Sequence, residues 1–112
     1  PELILMKNVM ANINLKNSDP VKISSKNAVY NTVNYTTNFY DDVLIEYSEN
    51  VITSDNLDLV FEKNIATIYN NIIYKNLNTK LQADTIVIDL ITKNSKIYMN
   101  DQSKKVKIIN IN

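Results

Sequence analysis

Alternation of apolar and polar positions dominates the chain. Leu57, Leu59 and Phe61 alternate with Asn56, Asp58 and Val60, and Ile86, Ile88 and Leu90 alternate with Thr85, Val87 and Asp89. A period of two marks half-buried strands rather than helices. Short polar segments, Glu62-Lys63-Asn64 and Thr92-Lys93-Asn94-Ser95, follow each run and predict turns. A second strand is then expected from Ile65 to Lys75, bent at Asn70-Asn71. No stretch carries a 3.6-residue apolar stripe, and Ile, Val, Thr and Tyr favour strands, so the expected class is all-β.

The alternation is itself repeated. Phe39-Tyr40-Asp41-Asp42-Val43 matches Ile68-Tyr69-Asn70-Asn71-Ile72, and Ile97-Tyr98-Met99-Asn100 begins a third copy; each offset is 29 residues. A second motif keeps the same offset: Ile23-Ser24-Ser25, Ile52-Thr53-Ser54 and Leu81-Gln82-Ala83, followed by Ala28-x-Tyr30, Leu57-x-Leu59 and Ile86-x-Ile88. Upstream, Leu5-Met6-Lys7-Asn8-Val9 resembles the Phe39 motif at an offset of 34, which accommodates a longer loop around Asp19-Pro20. Two motifs on one period make each repeat a hairpin of two long strands. Such hairpins stack as a meander, a jelly-roll-like pair of sheets or a solenoid, and two facing antiparallel sheets are the preferred expectation. One domain, residues 1–112, accounts for the whole chain.

Composition changes this picture at the turns. The chain contains no Gly, whereas average usage predicts about eight. Asn is about one residue in six, and it is the non-glycine residue that best tolerates left-handed backbone, so the Asn-rich steps are the turn candidates. AT-rich coding would also produce this bias.

Charge and inventory narrow the chemistry. Without Cys or His, thiolate nucleophiles, zinc sites and His-dependent triads are excluded. Twelve Lys balance twelve acids and Arg is absent, so the footprint of a nucleic-acid binder is missing. No cofactor or metal is expected. Asp55 and Asp84 hold equivalent repeat positions, which reads as a structural column rather than a catalytic pair. Asp41-Asp42 and Asn70-Asn71 sit where bends are needed. The Lys104-Lys105-Val106-Lys107 run is expected to blunt an edge strand.

The apolar stripes admit a sharper reading than a closed core. Stacked hairpins curl into a trough, with Val43, Ile45, Leu57, Leu59, Phe61, Ile68, Ile72, Ile86, Ile88, Leu90, Ile97 and Met99 on its inner wall, extended upstream by Ala28 and Tyr30. Acyl chains would complete its core. Terminal strands of a stacked repeat are left unpaired, and Val106, Ile108 and Ile109 are the expected partner-binding edge.

The segments FYDDVLIEY and IYNNIIYKN, followed by ITSDNLDLVF and LQADTIVIDL, resemble the repeat of the OstA-like lipopolysaccharide-export superfamily, from about Leu3 to Ile111. Where that family commonly has Gly-Asn before Val, this chain has Asp41-Asp42, Asn70-Asn71 and Lys7-Asn8. The resemblance implies an open, twisted β-jelly roll that holds lipopolysaccharide acyl chains in its trough without catalysis. It implies edge-strand pairing with other export-bridge jelly rolls and an inner-membrane transporter complex as a partner. It also implies a periplasmic location, in an LptC-like form tethered through an N-terminal segment upstream of Pro1, with an LptA-like soluble bridge as the close second. The expectation from another class is a structural β-repeat or protein-interaction module that binds no lipid. A polysaccharide-processing β-helix would require converging carboxylates, and the acids here are spread along the chain.

Overall fold

The computed structural model describes residues 2–14, 19–92 and 94–98, together with the backbone of 107–110. Long antiparallel strands account for nearly all of it: β1 (Leu3–Ile13), β2 (Val21–Asn31), β3 (Thr36–Tyr47), β4 (Asn50–Val60), β5 (Ile65–Lys75) and β6 (Thr79–Asp89), then the short β7 (Ser95–Tyr98) and β8 (Lys107–Asn110). The order across the sheet is the order along the chain. β7 pairs with Thr85–Ile88 of β6 and β8 with Thr79–Gln82, so the two short strands lie in line along one edge of β6. A single 3-10 turn, Phe61–Lys63, joins β4 to β5. No helix among the described residues is long and apolar enough to cross a membrane.

Each long strand changes direction near its middle. Asp41 and Asp42 in β3, Asn70 and Asn71 in β5, and Asn8 in β1 have positive φ between 52° and 68°. β3 and β5 each carry an extra residue against their neighbours, as shown by the register steps at Tyr40/Val43 and Tyr69/Ile72. A bulge of this kind bends a strand and steepens its twist. The bends form a line across the sheet and divide it into two wings. One wing holds the strand segments around Ile23, Ile45, Ile52 and Leu81; the other holds those around Ala28, Phe39, Leu57, Ile68 and Ile86.

The 29-residue repeat is therefore a repeat of bends and turns. Tyr35 in the β2–β3 turn and Asn64 in the β4–β5 turn are both left-handed and 29 positions apart, as are Asp41 and Asn70. Inside the bend, Ser25 donates from Oγ to the Asn27 carbonyl at 2.8 Å, and Ser54 does the same to the Asn56 carbonyl at 3.0 Å. Both hydroxyls satisfy carbonyls next to the register shifts in the ladder.

Two inner rows form the core. In one wing the register runs Ala11, Ile23, Ile45, Ile52, Tyr74 and Leu81; in the other it runs Met6, Ala28, Phe39, Leu57, Ile68, Ile86 and Ile97. Ile68 and Ala28 are 0% exposed and Leu57 is 1%, burial that one face of a flat sheet cannot provide. The wings cover each other, and burying each large aliphatic side chain contributes about 1.5–3 kcal/mol. The fold is an open, twisted β-jelly roll of stacked antiparallel hairpins. It differs from the two separate sheets preferred from sequence, because each of the six long strands β1 to β6 passes through the bend and belongs to both wings, while β7 and β8 each extend one wing.

Candidate functional site

Between the wings the two apolar rows do not meet everywhere. A cleft of about 410 Å³ remains, within the range of small-molecule sites. One wall comes from Ile13, Val21, Ile23, Ile45, Ile52, Tyr74 and Leu81, the other from Leu57, Ala66, Ile68, Ile86, Ile88, Leu90 and Ile97. Among the described residues no charged side chain lines it, and its polar groups come from Tyr47, Asn50, Tyr74 and Ser95. Tyr74 donates its hydroxyl to Asn50 Oδ1, and Asn76 Nδ2 donates to the Tyr74 hydroxyl at 3.5 Å. A wall without charge suits hydrocarbon and offers nothing to neutralise an ionic head group.

The residues expected at the trough divide into four sets. Ile45, Leu57, Ile68, Ile86, Ile88, Leu90 and Ile97 line the cleft. Val43, Leu59 and Ile72 face inward but are packed in the solid core, with exposures of 1%, 1% and 2%. Phe61 departs from the expectation. β4 ends at Val60, the chain enters the 3-10 turn, and the Phe61 side chain is 49% exposed instead of continuing the Leu57-Leu59 stripe. Met99 lies outside the described residues.

Of the upstream pair, Ala28 is buried in the core and Tyr30 is half-buried beside it. For the expected edge, Ile108 and Ile109 lie in β8 opposite Leu81 and Lys80 of β6, while Val106, Lys104 and Lys105 lie outside the described residues.

Sequence reasoning missed Ile13, Val21, Ile23, Ile52, Ala66, Tyr74 and Leu81. Strict alternation backward from Leu57 points to Asp55 and Thr53. The bend resets the parity, so that the inward positions on the far side are Ser54 and Ile52. The 29-residue motif that begins at Ile23, Ile52 and Leu81 already contained the signal.

One set of charged side chains lies along the bend, outside the cleft. Lys26 Nζ is 2.8 Å from Asp42 Oδ2, with both side chains well exposed. The hydrogen bond and charge of Asp42 hold the Lys26 pKa above its ordinary value. Asn27 Nδ2 donates to Asp41 Oδ2 at 2.8 Å. Among the described residues no group of three or more acidic side chains could hold a metal ion, and Asp55 accepts a hydrogen bond from Asn71 at the bend.

Both long edges of the sheet are open to pairing among the described residues: β1 pairs only with β2, and β7 only with β6. β1 also exposes Leu3, Ile4, Leu5 and Met10, which are 45–78% accessible. No family model and no curated protein matches the chain.

Proposed function

We propose that this domain is a non-enzymatic carrier that holds the acyl chains of lipopolysaccharide between its two wings and passes them along a bridge of similar domains. The observation that carries this reading is the uncharged apolar cleft between the facing rows, whose walls include Ile45, Ile52, Ile68 and Ile86. Burying chain methylenes there gains about 0.8 kcal/mol for each CH₂ removed from water. Saccharide and phosphate groups would remain in solvent.

The likeness of the repeat to OstA-like export proteins supports the same reading and extends it to a periplasmic location and an LptC-like, inner-membrane-tethered role. The open edges of β1 and β7 support joining by β-augmentation, in which backbone hydrogen bonds continue the sheet from one domain to the next. They equally favour a protein-interaction module that binds no lipid. A dry, fully packed interior would suit that second reading; the cleft favours the first.

Binding of purified lipopolysaccharide to Ile88→Asp separates the two. Ile88 lines the cleft and is only half-buried, so a carboxylate there is compatible with folding, which circular dichroism checks. Loss of binding in the folded variant supports the carrier. Unchanged affinity removes the cleft from the account.

A further inference from the structure

The outer face of the wing opposite the cleft wall carries a regular row of its own. Asn27, Tyr40, Asn56, Tyr69, Thr85 and Tyr98 are successive partners across β2 to β7. The three tyrosines recur every 29 residues and fall on alternate strands, which places them ~9.6 Å apart at the usual interstrand spacing. Each is separated from the next by a side chain with an amide or hydroxyl group.

The central ring has a defined posture. Tyr69 donates its hydroxyl to Asp58 Oδ1 at 3.2 Å and accepts a hydrogen bond from Asn38 Nδ2 at 3.2 Å. Asp58 is on β4 and Asn38 on β3, so the ring leans from β5 across its neighbour and lies along the sheet, not upright from it. A ring anchored by its hydroxyl in this way turns one face to solvent. Tyr98 is 49% exposed, and among the described residues no side-chain partner holds its hydroxyl or that of Tyr40.

Charge defines what such a surface accepts. Away from the bend the neighbouring row, Val29, Asn38, Asp58, Thr67, Val87 and Lys96, holds one carboxylate and one ammonium, which cancel; on the bend side lie the ion pair of Lys26 with Asp42 and the carboxylates of Asp41 and Asp55, so the face disfavours anions. Three tyrosines in register, interleaved with neutral donors and acceptors, match a chain of uncharged pyranoses. C–H faces of the sugars stack on the rings while hydroxyls bond to Asn and Thr side chains. In an extended β-1,4-linked chain, equivalent rings recur every second sugar, at about the spacing of alternate strands.

We infer that the outer face built on Tyr40, Tyr69 and Tyr98 is a binding platform for a soluble, uncharged β-1,4-linked glycan chain. The site is on the opposite side of the sheet from the cleft and is independent of what the cleft holds.

The test is titration of isotope-labelled protein with cellohexaose and, separately, chitohexaose, followed by amide chemical shifts. The expected result is saturable shifts for at least one hexasaccharide in β3, β5 and β7 around the tyrosines, without shifts at Ile45 or Ile52. Tyr40→Ala, Tyr69→Ala and Tyr98→Ala should each weaken binding roughly two- to tenfold, the range of one aromatic contact. Should Tyr69→Ala fail to fold, the other two variants keep the test intact. Absence of shifts with both sugars, shifts confined elsewhere, or unchanged affinity in folded Tyr40→Ala and Tyr98→Ala would overturn the proposal. Self-association of the free protein that Tyr98→Ala abolishes would assign the face to a second copy and overturn it as well.

Discussion

Asn71 donates from Nδ2 to Asp55 Oδ2 at 2.5 Å, tying the bend of β5 to the bend of β4. Lys26 and Asp42 make the corresponding link between β2 and β3. The direction change that separates the wings is thus fixed twice, by left-handed backbone within a strand and by side chains between strands.

Left-handed φ at Asn70 and Asn71 excludes β-branched replacements, because a Cβ crowds the following carbonyl there. Asn70→Val should destabilise the domain by about 1–2 kcal/mol in urea unfolding, and Asn70→Gly should leave it close to the parent. Equal stability of both variants would mean that the bend does not depend on this backbone.

The division between solid core and exposed turn gives a contrast of magnitude. Ile72, at 2% exposure, should cost about 2–5 kcal/mol as Ile72→Ala. Phe61→Ala, in the exposed turn, should change stability by no more than about 0.5 kcal/mol. The two midpoints, measured under the same conditions, place each side chain inside or outside the core.

Acid should expose the turn after β6. Asp89 Oδ1 accepts from the amides of Thr92 at 3.0 Å and Ile91 at 2.9 Å, and these bonds hold its carboxyl below the ordinary aspartate range. A depressed folded pKa contributes stability that is present above the unfolded value and is lost as pH falls through the folded one. Unfolding midpoints of the parent and Asp89→Asn, which keeps an acceptor oxygen but does not titrate, should converge between neutral pH and about pH 2. A constant difference across that range would contradict the assignment.

The free edge of β1 has a definite backbone pattern. The Thr32 amide donates to the Glu2 carbonyl at 2.8 Å, so by alternation Ile4 and Met6 turn their amides towards β2, and Leu3, Leu5 and Lys7 turn theirs outward. Leu5→Pro should therefore keep the fold and weaken association through this edge, whereas Ile4→Pro should damage the β1–β2 pairing. Sedimentation with a partner domain reports the first effect and circular dichroism the second. Unaltered association in Leu5→Pro would move the junction to the β7 edge.

Much of this architecture is legible in the residues. The span Ile65–Lys75 with its bend at Asn70-Asn71 follows from alternation and from the preference of Asn for left-handed backbone, and it is the observed β5. Less legible was the parity change at each bend. Period-two reading carries Leu57 and Leu59 on to Phe61, although the strand stops at Val60, and it hides Ile52, which faces the cleft across the bend. Local patterns report the face of a strand but not the point at which a bulge exchanges the faces. The cleft itself depends on the angle between the wings, which no short motif encodes. Tyr40, Tyr69 and Tyr98 were visible as part of the repeat, yet their common outer row emerges only from the strand register.

Entry of hydrocarbon between the wings is read out by photo-crosslinking purified lipopolysaccharide to a probe at Ile88, inside the cleft, and to one at Val87, on the opposite face of the same strand. Ile88 should label, in a way that an excess of unlabelled lipopolysaccharide competes away, with little labelling from Val87. No labelling from Ile88 in a folded protein, or equal labelling from both positions, would contradict it.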